Sequence, residues 1–180
     1  MIKIYGHRGA AGEFPEHSRQ GYAHAISQGV QGIEFDVQYS KDAVPVVFHD
    51  RTLERVAGST LSVSDLELAE LGKLDCTSYK GDGFEPHGVM SLRDTLAYCQ
   101  AIARDIEFLV EIKSSLRQDI GYISRLVSDT ISELQAAGAN FRILSFDLRV
   151  IETASAFLPP ERLVLNIEDK ESLDIFIRRI

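Results

Sequence analysis

Four short apolar runs in this chain end in ionisable residues, and that pattern constrains its fold more than any other feature. Ile2-Lys3-Ile4-Tyr5 leads to Gly6-His7-Arg8-Gly9, and Gly32-Ile33-Glu34-Phe35-Asp36-Val37 carries two carboxylates. Val44-Pro45-Val46-Val47-Phe48 delivers His49-Asp50, and Phe108-Leu109-Val110 delivers Glu111-Ile112-Lys113. Runs of this length rich in Val, Ile and Phe read as strands. Apolar strands with charged C-terminal ends are what a parallel β/α barrel requires, because its interior is packed and its chemistry sits at that face. Glycines on either side of His7-Arg8 let the backbone turn sharply and keep bulk away from whatever the two side chains hold.

The intervening segments supply helices. Ser18 is placed to cap one with Tyr22, Ala25 and Ile26 inward and Gly29 at its end. Ser40-Lys41-Asp42-Ala43 is too short for a helix and makes a tight connection into Val44. From Arg51 to Met90 the alternation breaks: Gly58-Ser59-Thr60 is loop, Ser64-Asp65-Leu66-Glu67 reads as a capping box, and 79–88 is Gly-rich. A small insertion subdomain over the barrel mouth is expected at 51–90. Ser91 caps the next helix, with Leu92, Leu96, Cys99 and Ile102 at helical spacing. Ile123, Leu126, Val127, Ile131 and Leu134 stripe a long helix that stops at Gly138, and Phe141 to Phe146 is a strand. Val150, Ile151, Ala154 and Phe157 stripe a shorter helix broken by Pro159-Pro160, Leu163 to Ile167 is a further strand, and Leu173, Phe176, Ile177 and Ile180 begin a last amphipathic helix. The expected architecture is α/β: one TIM-type (β/α) barrel domain over 1–180, about six strands, with the insertion at 51–90.

Side chains alternate along a strand, so Glu34 and Asp36 share one face while Ile33, Phe35 and Val37 share the other. With the apolar set against the helices, both carboxylates face the barrel interior, and Glu111 ends its own strand as a natural third. Converging carboxylates without a matching basic cluster call for a cation, and hard oxygen ligands favour Mg²⁺ or Ca²⁺. His7 and His49, at the ends of neighbouring elements, can hold one acid and one base in the same turnover, since histidine titrates near neutral pH. Asp50 either orients His49 or turns the chain. Glu16 either reaches the mouth or orders its loop, and Phe84 is an aromatic of the insertion that could line a pocket. His17, His24 and His87 are expected to be solvated.

Taken together, GHRG, FPEHS, GIEFDV, PVVFHD and VEIK, in consistent order over residues 1 to 150, resemble the glycerophosphodiester phosphodiesterase family. The resemblance implies a barrel fold and hydrolysis of glycerophosphodiesters to glycerol 3-phosphate and an alcohol. It implies a metal trio of Glu34, Asp36 and Glu111, one divalent cation, and acid–base roles for His7 and His49. On that reading Arg8 and Lys113 hold the phosphate oxygens, Arg by its fork and Lys as a point charge. It also suggests that the glycerol's neighbouring hydroxyl attacks first, giving a cyclic phosphate that water opens. A phosphodiester lyase acting on a phospholipid shares this logic, and a non-catalytic module that binds phosphate esters would share the residues; both stay open. The chain departs from the family pattern at His17, where Asn is usual, at Arg55-Val56-Ala57, and at Asp42-Ala43 for Asp-Gly. Because Ala resists positive φ, that turn is expected to change type. The last two β/α units of the family pattern are missing, in line with the absence of tryptophan. Open first and last strands would invite pairing with another copy.

The balance of 27 acidic against 19 basic residues, net charge -8, argues against a nucleic-acid surface, which needs clustered Lys and Arg. No stretch approaches the roughly 20 apolar residues of a membrane span, so a cytoplasmic location is the expectation, with a small phosphodiester as partner. Cys76 and Cys99 read as two free thiols, Cys99 in the core.

Overall fold

The computed structural model describes residues 2–168, and the expected helix at Leu173 to Ile180 lies outside them. The elements run β1 (Tyr5–His7), α1 (Arg19–Ser27), β2 (Gly32–Tyr39), β3 (Pro45–Val47), α2 (Glu54–Ala57), α3 (Leu68–Leu71), β4 (Met90–Ser91), α4 (Leu92–Ile102), β5 (Glu107–Ile112), α5 (Ile120–Ala136), β6 (Asn140–Ser145), α6 (Leu148–Ala154) and β7 (Leu163–Leu165). Five strands lie parallel in the order β1, β2, β5, β6, β7, joined by helices that cover one face. This is the alternation of a TIM-type barrel. Among the described residues no ladder closes the sheet between β7 and β1.

The strand ending in His49 departs from the parallel set. β3 pairs antiparallel to the upper end of β2, Val37 opposite Val47 and Tyr39 opposite Pro45, and β4 continues antiparallel beyond it. A five-residue connection, 40–44, can only build a hairpin, since a parallel crossover takes a dozen residues or more. The first three residues of β2 pair with β1 and its last three with β3. β2 therefore overshoots the barrel, and the hairpin returns His49 to the level of Asp36.

Alternation assigns the faces as expected. Ile33, Phe35, Val37, Phe108, Val110, Ile112, Phe141 and Ile143 are buried in one cluster with Tyr22, Leu96, Leu126, Ile131 and Val150 from four helices. Each such side chain contributes roughly 1.5–3 kcal/mol on burial. On the other face Glu107 lies at the base of the barrel, bound by Lys3 Nζ at 2.6 Å, Tyr5 Oη at 2.7 Å and Arg142 Nε at 3.0 Å. Glu111 shares its parity four residues on, at the opposite end. Residues 51–90 pack around a second buried cluster of Val46, Phe48, Leu53, Val56, Val63, Leu71, Cys76 and Val89.

Several local expectations hold in geometry. Ser18 Oγ accepts from Gly21 N at 2.9 Å, Ser91 Oγ accepts from Asp94 N at 3.0 Å, and both cysteines are buried free thiols. Others need correction. The first strand is Tyr5–His7 rather than Ile2 to Tyr5, leaving Ile2 and Ile4 exposed. Boxes form at Ser62/Asp65 and Glu67/Glu70 instead of Ser64/Glu67. Ile102 and Phe157 are half exposed. Ala43 adopts φ 57, so the turn keeps the left-handed backbone that glycine would take. No helix among the described residues is long and apolar enough to cross a membrane.

Candidate active site

β1 brings His7 to the barrel mouth, and the chain then turns through left-handed residues, Arg8 at φ 53 and Gly9 at φ 82. A Cβ on Gly6 would lie 2.6 Å from Gly9 O, and one on Gly9 would lie 3.0 Å from the Gly21 backbone. The glycines flanking His7-Arg8 thus allow a close approach to α1 that no side chain permits. Arg8 N donates to Glu34 O at 3.0 Å and to Glu34 Oε2 at 3.1 Å, fixing the turn on β2.

Glu34, Asp36 and Glu111 converge. All three are buried, and each offers an oxygen within 4.8 Å of the others'. Register explains the meeting, since Asp36 lies opposite Glu111 on adjacent strands and Glu34 lies opposite His7. Burial, reinforced by the charge of Asp36, pushes the Glu34 carboxyl up to about 8. Burial alone would raise Asp36 too, but the His17 hydrogen bond and the Lys113 ammonium hold it well below the usual carboxylate range. The residues suit a hard cation on one further ground: Glu34 Oε1 is shielded from solvent and has no hydrogen-bond partner among the described residues. A buried acceptor left over beside two more carboxylates is a ligand position.

Two cations line the same space. Lys113 Nζ stands 2.6 Å from Glu111 Oε1 and 2.9 Å from Asp36 Oδ1. Burial opposes its charge, yet Asp36 and Glu111 raise its pKa above the ordinary value and keep it an ammonium. Arg8 Nε lies 3.3 Å from Asp36 Oδ2, and its Nη1 lies 3.3 Å from Glu16 Oε2. Glu16 is held in turn by Arg55 Nη2 at 2.7 Å, and its N–H donates to Tyr79 Oη at 2.9 Å. Of the two readings of Glu16, the geometry fits the one in which it orders the loop.

His7 Nε2 sits 3.7 Å from Glu34 Oε2 with an exposed ring, its pKa lowered by partial burial and by Arg8. His49 follows β3, where Phe48 N donates to Asp36 O at 3.0 Å and brings the turn beside the carboxylates. Its Nδ1 is 2.6 Å from Asp50 Oδ1, and Arg55 Nε holds the other Asp50 oxygen at 2.6 Å. Asp50 therefore orients His49. The structure brings all seven predicted residues, His7, Arg8, Glu34, Asp36, His49, Glu111 and Lys113, to one end of the barrel. A cavity of about 660 Å³ opens beside Glu111 and Lys113, walled by Ser114, Phe146, Leu148, Asn166 and Ile167. Phe84 is not among its walls; it packs against Phe14 with ring centroids 5.7 Å apart.

Two residues of the site escaped the sequence reading. Arg55 ties Asp50 to Glu16 from the 51–90 segment, and no local motif announces it. His17 is 4% exposed rather than solvated, with Nε2 3.0 Å from Asp36 Oδ2 and Nδ1 3.2 Å from Tyr22 Oη. The ring of His87 is half-buried, its Nδ1 2.7 Å from Gly88 O, and His24 stacks near Phe14 at 4.6 Å.

Residues 7–174 match the family described as glycerophosphoryl diester phosphodiesterase. Over 178 residues the chain is 27% identical to the uncharacterized protein YqiK of Bacillus subtilis (strain 168), covering 99% of this chain and 63% of YqiK. It is 30% identical over 137 residues to a glycerophosphodiester phosphodiesterase of Bacillus altitudinis, covering 75% of this chain and 54% of that enzyme. The structure of an Oleispira antarctica phosphodiesterase in complex with the product sn-glycerol-3-phosphate aligns with a TM-score of 0.83 at 22% identity, over 99% of this chain and 72% of the other. The chain thus spans less than two thirds of the length of these two curated relatives.

Proposed function

We propose, because this chain belongs to the glycerophosphoryl diester phosphodiesterase family, that it hydrolyses glycerophosphodiesters to glycerol 3-phosphate and an alcohol. The observation that carries the reading is the meeting of three buried carboxylates with two histidines and two cationic side chains at one mouth. The product bound in the Oleispira protein is the product expected here.

Glu34, Asp36 and Glu111 would hold one Mg²⁺ or Ca²⁺. When bound, that ion supplies positive charge to a phosphoryl oxygen and lowers the pKa of a hydroxyl or water beside it. Arg8 and Lys113 would take the non-bridging oxygens, their charge meeting the charge that builds there in the transition state. One of His7 and His49 removes the proton of the glycerol's attacking hydroxyl while the other protonates the departing alcohol oxygen. With the roles reversed, a water is deprotonated and opens the cyclic phosphate, the ring oxygen taking the proton, to give glycerol 3-phosphate. His49 is suited to either task, because Asp50 engages Nδ1 and leaves Nε2 as the ring nitrogen that would exchange a proton with a substrate. The cavity beside Lys113 and Phe146 would receive the alcohol portion, and residues 51–90 would form an insertion that supplies Arg55 and Tyr79 to the rim.

His7→Ala and His49→Ala test the assignment. Each is expected to lower turnover by on the order of 10² to 10⁴ while metal affinity is kept, the range for loss of a proton-transfer group. Near wild-type turnover in both would overturn it.

A further inference from the structure

We infer that His17 is a positioning residue that fixes the Asp36 carboxylate toward the cation, and that Tyr22 fixes the ring tautomer in which it does so. The inference rests on the reading of Glu34, Asp36 and Glu111 as cation ligands. His17 and Tyr22 are 4% and 0% exposed, so neither ring can exchange its partner for water. Asp36 Oδ2 can only accept, and His17 Nε2 lies 3.0 Å from it, so Nε2 carries the proton. The Tyr22 hydroxyl lies 3.2 Å from His17 Nδ1 and bonds to nothing else among the described residues. A buried O–H needs an acceptor, and Nδ1 is the one at hand.

The result is a directed chain. The Tyr22 O–H donates to Nδ1, the Nε2–H donates to Asp36, and Asp36 is left with Oδ1 toward Lys113 and the cluster. The backbone adds to the arrangement: His17 sits at φ 55, and its N–H donates to Arg8 O at 3.1 Å, so one residue pins the loop to Arg8 and Asp36 at once. Without the imidazole, Asp36 Oδ2 would keep only the longer Arg8 Nε contact at 3.3 Å, and the carboxylate would lose the one hydrogen bond that sets its orientation from the α1 side. Groups that orient a metal ligand in this way are worth about 10- to 100-fold in metal affinity.

Calorimetric titration of the metal-free chain with Mg²⁺ alone and with Ca²⁺ alone tests this without reference to turnover. His17→Phe keeps the bulk and loses the donor, and is expected to bind the preferred ion about 10- to 100-fold more weakly. His17→Gln places an amide N–H where Nε2 stood and is expected to bind within a few-fold of wild type, at the same melting temperature as the Phe variant. Tyr22→Phe, which does not touch the carboxylates, is expected to weaken binding several-fold through the loosened tautomer alone. Should His17→Phe fail to fold, the Gln and Tyr22→Phe variants still decide. Wild-type affinity in folded His17→Phe overturns the inference, as does a Gln variant that binds ten-fold or more below wild type. Unchanged affinity in Tyr22→Phe overturns the tautomer assignment. Absence of binding of either ion to the wild type overturns the ligand reading beneath it, and the inference with it.

Discussion

Asp50 grips His49 by one short contact, Oδ1 to Nδ1 at 2.6 Å, while Arg55 holds its other oxygen at the same distance. Because a carboxylate only accepts, Nδ1 must carry the proton, and Nε2 is left to exchange one with the substrate. An amide in place of the carboxylate could present its own donor to Nδ1 and reverse that tautomer. Asp50→Asn is therefore expected to lower kcat by on the order of 10² to 10⁴, with little change in metal affinity. Steady-state kinetics with calorimetry checks both; a kcat within two-fold of wild type contradicts the role given to Asp50.

Lys113 bridges Asp36 and Glu111 and is also assigned to the substrate phosphate. Lys113→Met separates the two. Loss of a charged hydrogen bond to phosphate is expected to weaken glycerol 3-phosphate binding by roughly 10- to 100-fold. Removal of a competing ammonium leaves metal affinity equal or tighter. Weaker metal binding with unchanged product binding would assign Lys113 a structural part only.

Glu34 makes the metal-free protein sensitive to pH. Its folded value of about 8 lies above the ordinary 4.5, so the folded state holds a proton that the unfolded chain has released. The stability tied to that proton is complete below about pH 4.5 and is lost as pH rises through about 8. The melting temperature of metal-free wild type minus that of Glu34→Gln should fall between about pH 5 and about pH 9. A flat difference across that window contradicts a raised Glu34.

Ala43 occupies a left-handed turn position, φ 57, with its N–H donating to Ser40 O at 3.1 Å. An L-residue pays roughly 1–2 kcal/mol there, partly offset by the greater freedom of an unfolded glycine. Ala43→Gly is expected to raise stability by about 0.5–1 kcal/mol in urea denaturation. A loss would mean that the Ala43 methyl makes contacts worth more than the strain.

What the sequence revealed, and what it hid, follows the range of the interactions. Alternation is local, so Glu34 with Asp36 and Glu111 with Lys113 could be placed on one face from parity alone. The hairpin of β3 was also within reach, because four residues between Tyr39 and Val44 exclude a crossover. The capping boxes were not. Ser62, Ser64 and Glu67 each stand three residues before an acid, and overlapping matches of equal spacing cannot be ranked locally. His17 and Arg55 were hidden for a different reason. Each reaches a residue 19 or 39 positions away, so its partner depends on how distant parts of the chain are brought together and not on its neighbours in sequence alone.

The central claim is that this chain cleaves glycerophosphodiesters through a cation held by Glu34, Asp36 and Glu111. Release of glycerol 3-phosphate from glycerophosphocholine and glycerophosphoethanolamine, measured before chelation, after it, and after return of Mg²⁺ or Ca²⁺, tests that claim most directly. The account predicts turnover that chelation abolishes and one of the two ions restores. A cooperatively folded, metal-loaded sample that releases no glycerol 3-phosphate, or one whose turnover survives complete chelation, would contradict it.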